Sequence, residues 1–509
     1  MSEPPFRRVL VANRGEVAVR ICRSLHEMGI ETVAVHSDID ATAPHVSAAT
    51  LAVNLGGHDA SSSYLQVPQL LDAGCDAECD AIHPGYGFLS EDANFVRALE
   101  AVGLEFIGPE ADSMEILGSK QKAKEAAIEA GVPVIPGFND DCGDDQQMLD
   151  EARKIGFPML IKASAGGGGK GMRIVRQESD FLEEIAACRR ESQAAFSSDE
   201  ILLEKLVQPA RHIEIQVLGD AHGNVVALNE RECSVQRRHQ KVVEEAPSPA
   251  VDADLRQRMS DAALRLSKHV GYKSAGTVEF LLDQDGEFYF LEMNTRLQVE
   301  HPVTEMTTGL DLVRLQVEIA AGASLPDLLG DRDLSPRGHS IEVRVYAEEP
   351  ANGYLPAAGT LTRVIEPTGP GVRFDSGVHA GTEISVHFDP MISKIIVHAP
   401  DRDAACRRLE RVLRETAYLG LPTNLDFLGR VIRSPGFRSG ELTTAFLDDH
   451  PELAAGPEGA APDVAYVAAA LCDALRSGGP NGSNSESTPD GDASSPWNTV
   501  GSFRIWRRS

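Results

Sequence analysis

The chain has 509 residues, 42% of them hydrophobic and 25% charged, a composition ordinary for a folded protein and a length that requires several domains. No apolar run reaches the roughly 18 residues that a membrane helix needs, and a formal net charge of −29 would repel a phosphate backbone, so membrane and nucleic-acid partners are not expected. The eight cysteines form no C-x-x-C pair and suggest reduced thiols rather than zinc sites or a disulfide framework.

The start, Met1-Ser-Glu-Pro-Pro-Phe, has neither a signal-peptide nor a transit-peptide pattern, and a cytoplasmic protein is expected. Only eleven of the 48 basic residues are Lys, a bias that a salt-rich cytoplasm and a high-GC genome would both produce.

In chain order, residues 9–13 predict a buried strand, 16–28 a helix and Thr32–His36 a second strand, the βαβ opening of an α/β domain. A new unit is expected near Gly108-Pro109. Residues Lys154–Ala165 and Met172–Arg176 flank a glycine run, and 277–294 reads as a long hairpin. A third unit begins after Leu334-Ser-Pro-Arg, with strand-like segments at 341–346, 360–365, 384–388 and 394–398 and a helix at 401–417. Beyond His450 the composition turns to Ala, Gly, Ser, Asn and Pro, and 477–496 is expected to be disordered because it cannot bury enough apolar surface.

The run Gly166-Gly167-Gly168-Gly169-Lys170-Gly171-Met172 is the first chemical signal, because glycine backbones approach phosphate oxygens closely and a lysine adds charge. It fails the Walker pattern, having Ser164 and Gly171 where that pattern needs Gly and Ser/Thr. Gly166, Gly168 and Gly171 fit a dinucleotide fingerprint, but the strand-like segment that follows is not the helix such a fingerprint requires. Strand, glycines, strand predicts a flap over nucleotide phosphates, supported by Lys162 on the incoming strand.

The hairpin supplies the second signal. Glu292 and Asn294 are two apart on a strand and project together, and folding at Asp283-Gln-Asp-Gly286 places Glu279 across from Glu292. Two carboxylates and an amide oxygen among Val, Phe and Leu suit Mg²⁺ or Mn²⁺, whereas an edge hairpin facing water would alternate in the same way. Alternation beyond it puts Arg296, Gln298 and Glu300 on one side, an anion-binding cation beside a base.

From about residue 6 to 448 the chain resembles the biotin carboxylase family. The resemblance rests on Val11-Ala-Asn-Arg-Gly-Glu16, His83-Pro-Gly-Tyr-Gly-Phe-Leu-Ser-Glu91, Lys162–Met172, Arg231–Lys241 and Glu292–Pro302, in order and at family spacing. It implies an α/β and α+β fold: an N-terminal Rossmann-like (pre-ATP-grasp) domain over 1–113, and an ATP-grasp domain over 114–333 with a glycine-rich lid at about 135–205. A C-terminal biotin carboxylase domain over 334–450 and a low-complexity tail over 451–509 complete it.

The implied activity is ATP- and bicarbonate-dependent carboxylation of biotin on a carrier, the first half-reaction of an acyl-CoA carboxylase. The resemblance places ATP on Lys120, Lys162, Gly166–Gly171, Met172, Glu204, Lys205, Leu206, His212 and His239. It places Mg²⁺ or Mn²⁺ on Glu279 and Glu292 with Asn294 beside them, and bicarbonate on Lys241, Arg296, Gln298, Val299 and the base Glu300. Biotin falls to Tyr86 and Arg344, the latter stabilising its enolate.

No Ala-Met-Lys-Met-type segment occurs, so biotin is expected on a partner carrier protein, with a carboxyltransferase subunit as the further partner and a homodimer as the family's assembly. The stretch Pro496–Arg508 reads like the start of a mediating domain. Two other readings stand beside this one: a bicarbonate-activating ligase of the carbamoyl-phosphate type, and a catalytically silent scaffold paralogue.

Overall fold

A computed structural model describes residues 4–138, 144–163, 172–196, 198–238, 240–456 and 463–477. The chain divides into two compact units, Met1–Gly456 and Pro457–Ser509.

The first unit opens with β1 (Arg8–Val11), α1 (Gly15–Glu27), β2 (Glu31–His36), β3 (Leu51–Asn54), β4 (Ala81–His83) and β5 (Glu105–Phe106). These strands form a parallel sheet in the order β3-β2-β1-β4-β5, the doubly wound arrangement in which a cleft opens at the strands' carboxyl ends. Val9, Leu10 and Val11 are fully buried, as near-continuous apolar strands in a parallel sheet should be.

A four-stranded lid sheet follows, formed by β6 (Gly137–Phe138), β7 (Met159–Ala163), β8 (Met172–Val175) and β9 (Ile201–Lys205) in the order β6-β9-β7-β8. The expected strand over Lys154–Ala165 is shorter in the structure: 154–155 close a helix capped by Gly156, and the strand begins at Met159. The glycines at 166–169 and 171 lie outside the described residues, as does His239.

The centre of the unit is an eight-stranded sheet. Its strands are β10 (Arg211–Gly219), β11 (Val225–Arg237), β12 (Gln240–Ala246), β13 (Ser274–Leu282), β14 (Phe288–Asn294), β15 (His339–Tyr346), β16 (Val372–Ser376) and β17 (Met391–Ala399). The order is β14-β13-β10-β11-β12-β15-β17-β16, so strands after residue 334 extend the sheet begun by β10–β14. Helix α2 (His301–Thr308) packs against it at β11, β12, β15 and β17, and α3 (Arg402–Glu415) against β15 and β17.

The expected strands at 360–365 and 384–388 are present only as short fragments, Gly359–Thr360, Arg363–Ile365 and Glu383–Ile384. The expected helices at 16–28 and 401–417 correspond to α1 and α3.

In the second unit the described part is one helix, α4 (Asp463–Ser477), with Val464, Tyr466, Val467 and Leu471 exposed. The expectations for the segment after Ser477, including Pro496–Arg508, fall outside the described residues. Among the described residues no helix is long and apolar enough to cross a membrane.

Candidate active site

The central sheet carries charge in rows. Antiparallel partners share a face, and the register sets Arg231 of β11 beside Glu214 of β10, Glu214 beside Glu279 of β13, and Glu279 beside Glu292 of β14. This is the Glu279–Glu292 pairing that the Asp283–Gly286 turn predicts. Farther along the sheet Glu244 of β12 partners Glu342 of β15, and the next row on that face runs Arg344 (β15), Lys394 (β17), Asp375 (β16).

Charges so buried are costly unless paired, and most are paired; Glu342 has neither carboxylate oxygen hydrogen-bonded, and burial pushes its pKa well above the usual range. The Lys241 ammonium donates to Glu214 Oε2 at 2.6 Å, Glu279 Oε1 at 2.7 Å and Glu300 Oε1 at 2.7 Å. Arg231, fully buried, donates to Glu214, to Gln216 Oε1 at 2.7 Å and to Thr304 Oγ1 at 3.0 Å. Arg344 bridges Glu244 Oε1 at 2.6 Å and Glu300 Oε2 at 3.0 Å. Burial disfavours the Glu300 carboxylate, but Lys241, Arg344 and Arg231 outweigh it and hold its pKa well below the usual range. Glu300 is therefore ionised and able to accept a proton.

Lys241, Glu279 and Arg344 face a cleft of about 1030 Å³. Of the residues singled out in the sequence, Tyr86, Lys120, Lys162, Met172, Lys205, Leu206, His212, Lys241, Glu279, Glu292, Asn294, Arg296, Gln298, Val299 and Arg344 line it. Glu204 does not: its carboxylate is taken by Lys162 and, at 3.3 Å, by Lys124. Glu300 stands behind the wall, fully buried, reached through Lys241 and Arg344.

Arg296, Gln298 and Glu300 converge as expected, although by a loop rather than a strand, since β14 ends at Asn294. Arg296 donates to Gln298 Oε1 at 3.1 Å and Asn294 Oδ1 at 3.2 Å. Gln298 donates in turn to Glu279 Oε1 at 3.2 Å. Pro302 then starts α2 at its first turn, where a missing N–H does no harm.

The donor set fits a hard divalent cation. Glu279 and Glu292 are register partners on the cleft wall, and burial followed by the charge of Glu279 raises the Glu292 pKa. An added cation would relieve both causes of that shift. Glu279 Oε2 also lies 2.9 Å from His212 Nε2. One cluster of possible ligands among the described residues, His212, Glu214 and Glu279, already holds the Lys241 ammonium against its two carboxylates.

Family models match three successive stretches: biotin carboxylase, N-terminal domain, at residues 5–114; carbamoyl-phosphate synthase L chain, ATP binding domain, at 119–328; and biotin carboxylase C-terminal domain at 342–449. A biotin carboxylase of Nostoc sp. is 47% identical over 444 residues, covering 87% of this chain and 99% of that protein. The chain belongs to the biotin carboxylase family.

It is an enzyme of the ATP-grasp ligase class with the three-domain biotin carboxylase fold. The mitochondrial methylcrotonoyl-CoA carboxylase subunit alpha of Dictyostelium discoideum is 45% identical over 505 residues, 98% of this chain and 71% of that one. Among solved structures, the biotin carboxylase domain dimer of Hydrogenobacter thermophilus 2-oxoglutarate carboxylase, in complex with MgADP, ADP and bicarbonate, superposes with a TM-score of 0.83. It is 42% identical and covers 89% of this biotin carboxylase chain and 99% of its own.

Sequence reasoning missed several charged residues of this biotin carboxylase site: Glu214, Glu244, Arg231, Glu91 and Glu16. Glu91 receives Arg296 Nε at 2.9 Å, and Glu16 accepts the Tyr86 hydroxyl. Glu16, Glu91 and Arg231 lay inside the motif segments. Glu214 and Glu244 lay outside those segments, and the cations that pair them, Arg231, Lys241 and Arg344, come from other strands.

Proposed function

We propose that the chain carboxylates biotin on a carrier protein, using ATP and bicarbonate and releasing ADP and phosphate, as the first half-reaction of an acyl-CoA carboxylase. The observation that carries this reading is the buried base, Glu300, held between Lys241 and Arg344 at a cleft that Arg296 and the Glu279–Glu292 pair also line.

Bicarbonate is held by Arg296, Lys241, Gln298 and Val299. As its ammonium and guanidinium partners turn to the incoming anion, Glu300 regains basicity and takes the bicarbonate proton. The freed oxygen forms a bond to the γ-phosphorus while the bond from that phosphorus to the bridging oxygen breaks, giving carboxyphosphate and ADP. Carboxyphosphate splits to CO₂ and phosphate. The phosphate takes the ureido N–H proton of biotin, whose nitrogen then bonds to CO₂.

Arg344 stabilises the biotin enolate, and Tyr86 borders the biotin position. Lys120, Lys162, Met172, Lys205, Leu206, His212, His239 and Glu204 serve ATP, and the glycines 166–169 and 171 form the flap that keeps water away. Glu279 and Glu292, with Asn294, would hold Mg²⁺ or Mn²⁺, which supplies neutralising charge to the phosphates when bound.

In this reading residues 1–113, 114–333 and 334–450 are the working domains and 451–509 a tail. The partners are a biotin carboxyl carrier protein, a carboxyltransferase subunit and a second copy of the chain. Cys22, Cys75, Cys79, Cys188, Cys233 and Cys406 are free, in keeping with a reducing compartment, and we assign the cytoplasm.

ATP cleavage that requires bicarbonate and rises when biotin is added is the expected behaviour of the purified chain. Cleavage indifferent to biotin would favour the carbamoyl-phosphate type of ligase instead, and no cleavage would favour a scaffold.

A further inference from the structure

Lys394 is one of the largest fully buried side chains in the molecule, and none of the steps above uses it. Its ammonium donates to the carbonyl oxygen of Val299 at 2.8 Å. It also lies 3.3 Å from Glu16 Oε1 and 3.7 Å from Asp375 Oδ2. Burial works against its charge, and Glu16, Glu342 and Asp375 overcome this and raise its pKa.

Each partner belongs to a different part of the unit. Glu16 lies in the first turn of α1 and accepts the Tyr86 hydroxyl. Asp375 is on β16, where Arg373 clamps it through two bonds of 2.9 and 2.7 Å and also reaches Glu305 of α2 at 2.7 Å. Val299 is the residue before Glu300. One ammonium thus joins the three stretches that the family models match separately.

A carbonyl bound at 2.8 Å by a fully buried ammonium fixes the peptide between Val299 and Glu300, and with it the start of the Glu300 side chain. Arg344 is Lys394's register partner on β15 and grips the other end of that side chain at 3.0 Å. Adjacent cations on one row would repel each other; here they divide the work, one on the backbone and one on the carboxylate.

We infer that Lys394 is a positioning residue for bicarbonate activation, holding the Val299–Glu300 loop at the cleft and tying it to the Glu16–Tyr86 pair on the biotin side. The inference rests on the functional reading above. A bystander lysine that merely stabilised the domain junction would affect ATP and bicarbonate alike.

The test is steady-state ATP cleavage by the full chain with bicarbonate and ATP titrated separately, in Lys394→Met and Glu16→Gln. Lys394→Met should raise the bicarbonate KM about tenfold or more and lower kcat, with the ATP KM within about twofold of the parent. Glu16→Gln keeps an acceptor for Tyr86 and weakens only the ion pair, so it should raise the bicarbonate KM by about threefold.

A folded Lys394→Met with the parent's bicarbonate KM, or with both KM values raised together, overturns the inference. Should Lys394→Met fail to fold, Glu16→Gln decides: an unchanged bicarbonate KM overturns it and a selective rise supports it. An unaltered chain that cleaves ATP without needing bicarbonate would instead overturn the functional reading, and the inference with it, before any variant is measured.

Discussion

Three cations converge on Glu214, Glu279 and Glu300, and each carboxylate has more than one of its oxygens engaged. Such pairing explains why Glu300 is ionised although no part of it meets solvent. Replacing it by Gln keeps the shape and one of the two cation contacts, on the remaining oxygen, while removing the base. Glu300→Gln should retain ATP binding and lose bicarbonate-dependent ATP cleavage by about two to four orders of magnitude, the usual worth of a general base. Near-normal turnover in that variant would contradict the assignment.

Glu244 differs from its neighbour. Burial, only partly offset by Arg344, raises its pKa from 4.5 to about 7. Between those values the folded state binds more protons than the unfolded chain, so this group's contribution to stability falls as pH rises from 4.5 and stays lost above 7. The span corresponds to roughly 3 kcal/mol at most. Glu244→Gln should therefore gain stability over the parent as pH rises from 4.5 to about 7, read as a Tm difference that grows over that range and is level above it. Parallel melting profiles would count against it. Glu348 is also raised to about 7 and is common to both chains, so it cancels from the difference.

At the scale of elements, the metal hairpin was legible because its alternation, its Asp-Gly turn and its two carboxylates are all local signals. The structure places β13, the turn and β14 where those signals put them. Arg296 and Gln298 line the cleft with Glu300 just behind it, but a loop brings them there, fixed by Lys241, Arg344 and Lys394 from distant strands. Strands β10–β12 were not legible as a central sheet. Glu214 and Glu244 carry no local signal of burial, which their long-range cations, Arg231, Lys241 and Arg344, make tolerable.

Close approach within this sheet is also testable. Gly219 ends β10 beside Ser274 of β13, and a Cβ there would lie 2.0 Å from the Tyr272 carbonyl oxygen. Since backbone cannot swing away as a side chain does, Gly219→Ala should destabilise the fold by about 1–3 kcal/mol in denaturant unfolding. An unchanged midpoint would mean that the β10–β13 junction is looser than the structure has it.

At the scale of the whole molecule, the three matched stretches meet on one charged sheet face. The parallel N-terminal sheet brings Glu16 and Tyr86, the strands from 211 to 294 bring the carboxylates, and the strands after 334 bring Arg344 and Lys394. In the proposed reading the nucleotide half and the biotin half of the cleft share this one layer of ion pairs, which suits a reaction whose first product must pass directly to a second acceptor. The most direct measurement follows labelled carbon from bicarbonate into biotin. The purified chain, given ATP, Mg²⁺, radiolabelled bicarbonate and biotin or a biotinylated carrier, should form carboxybiotin, and Glu300→Gln should not. ATP consumption without label in biotin would contradict the account.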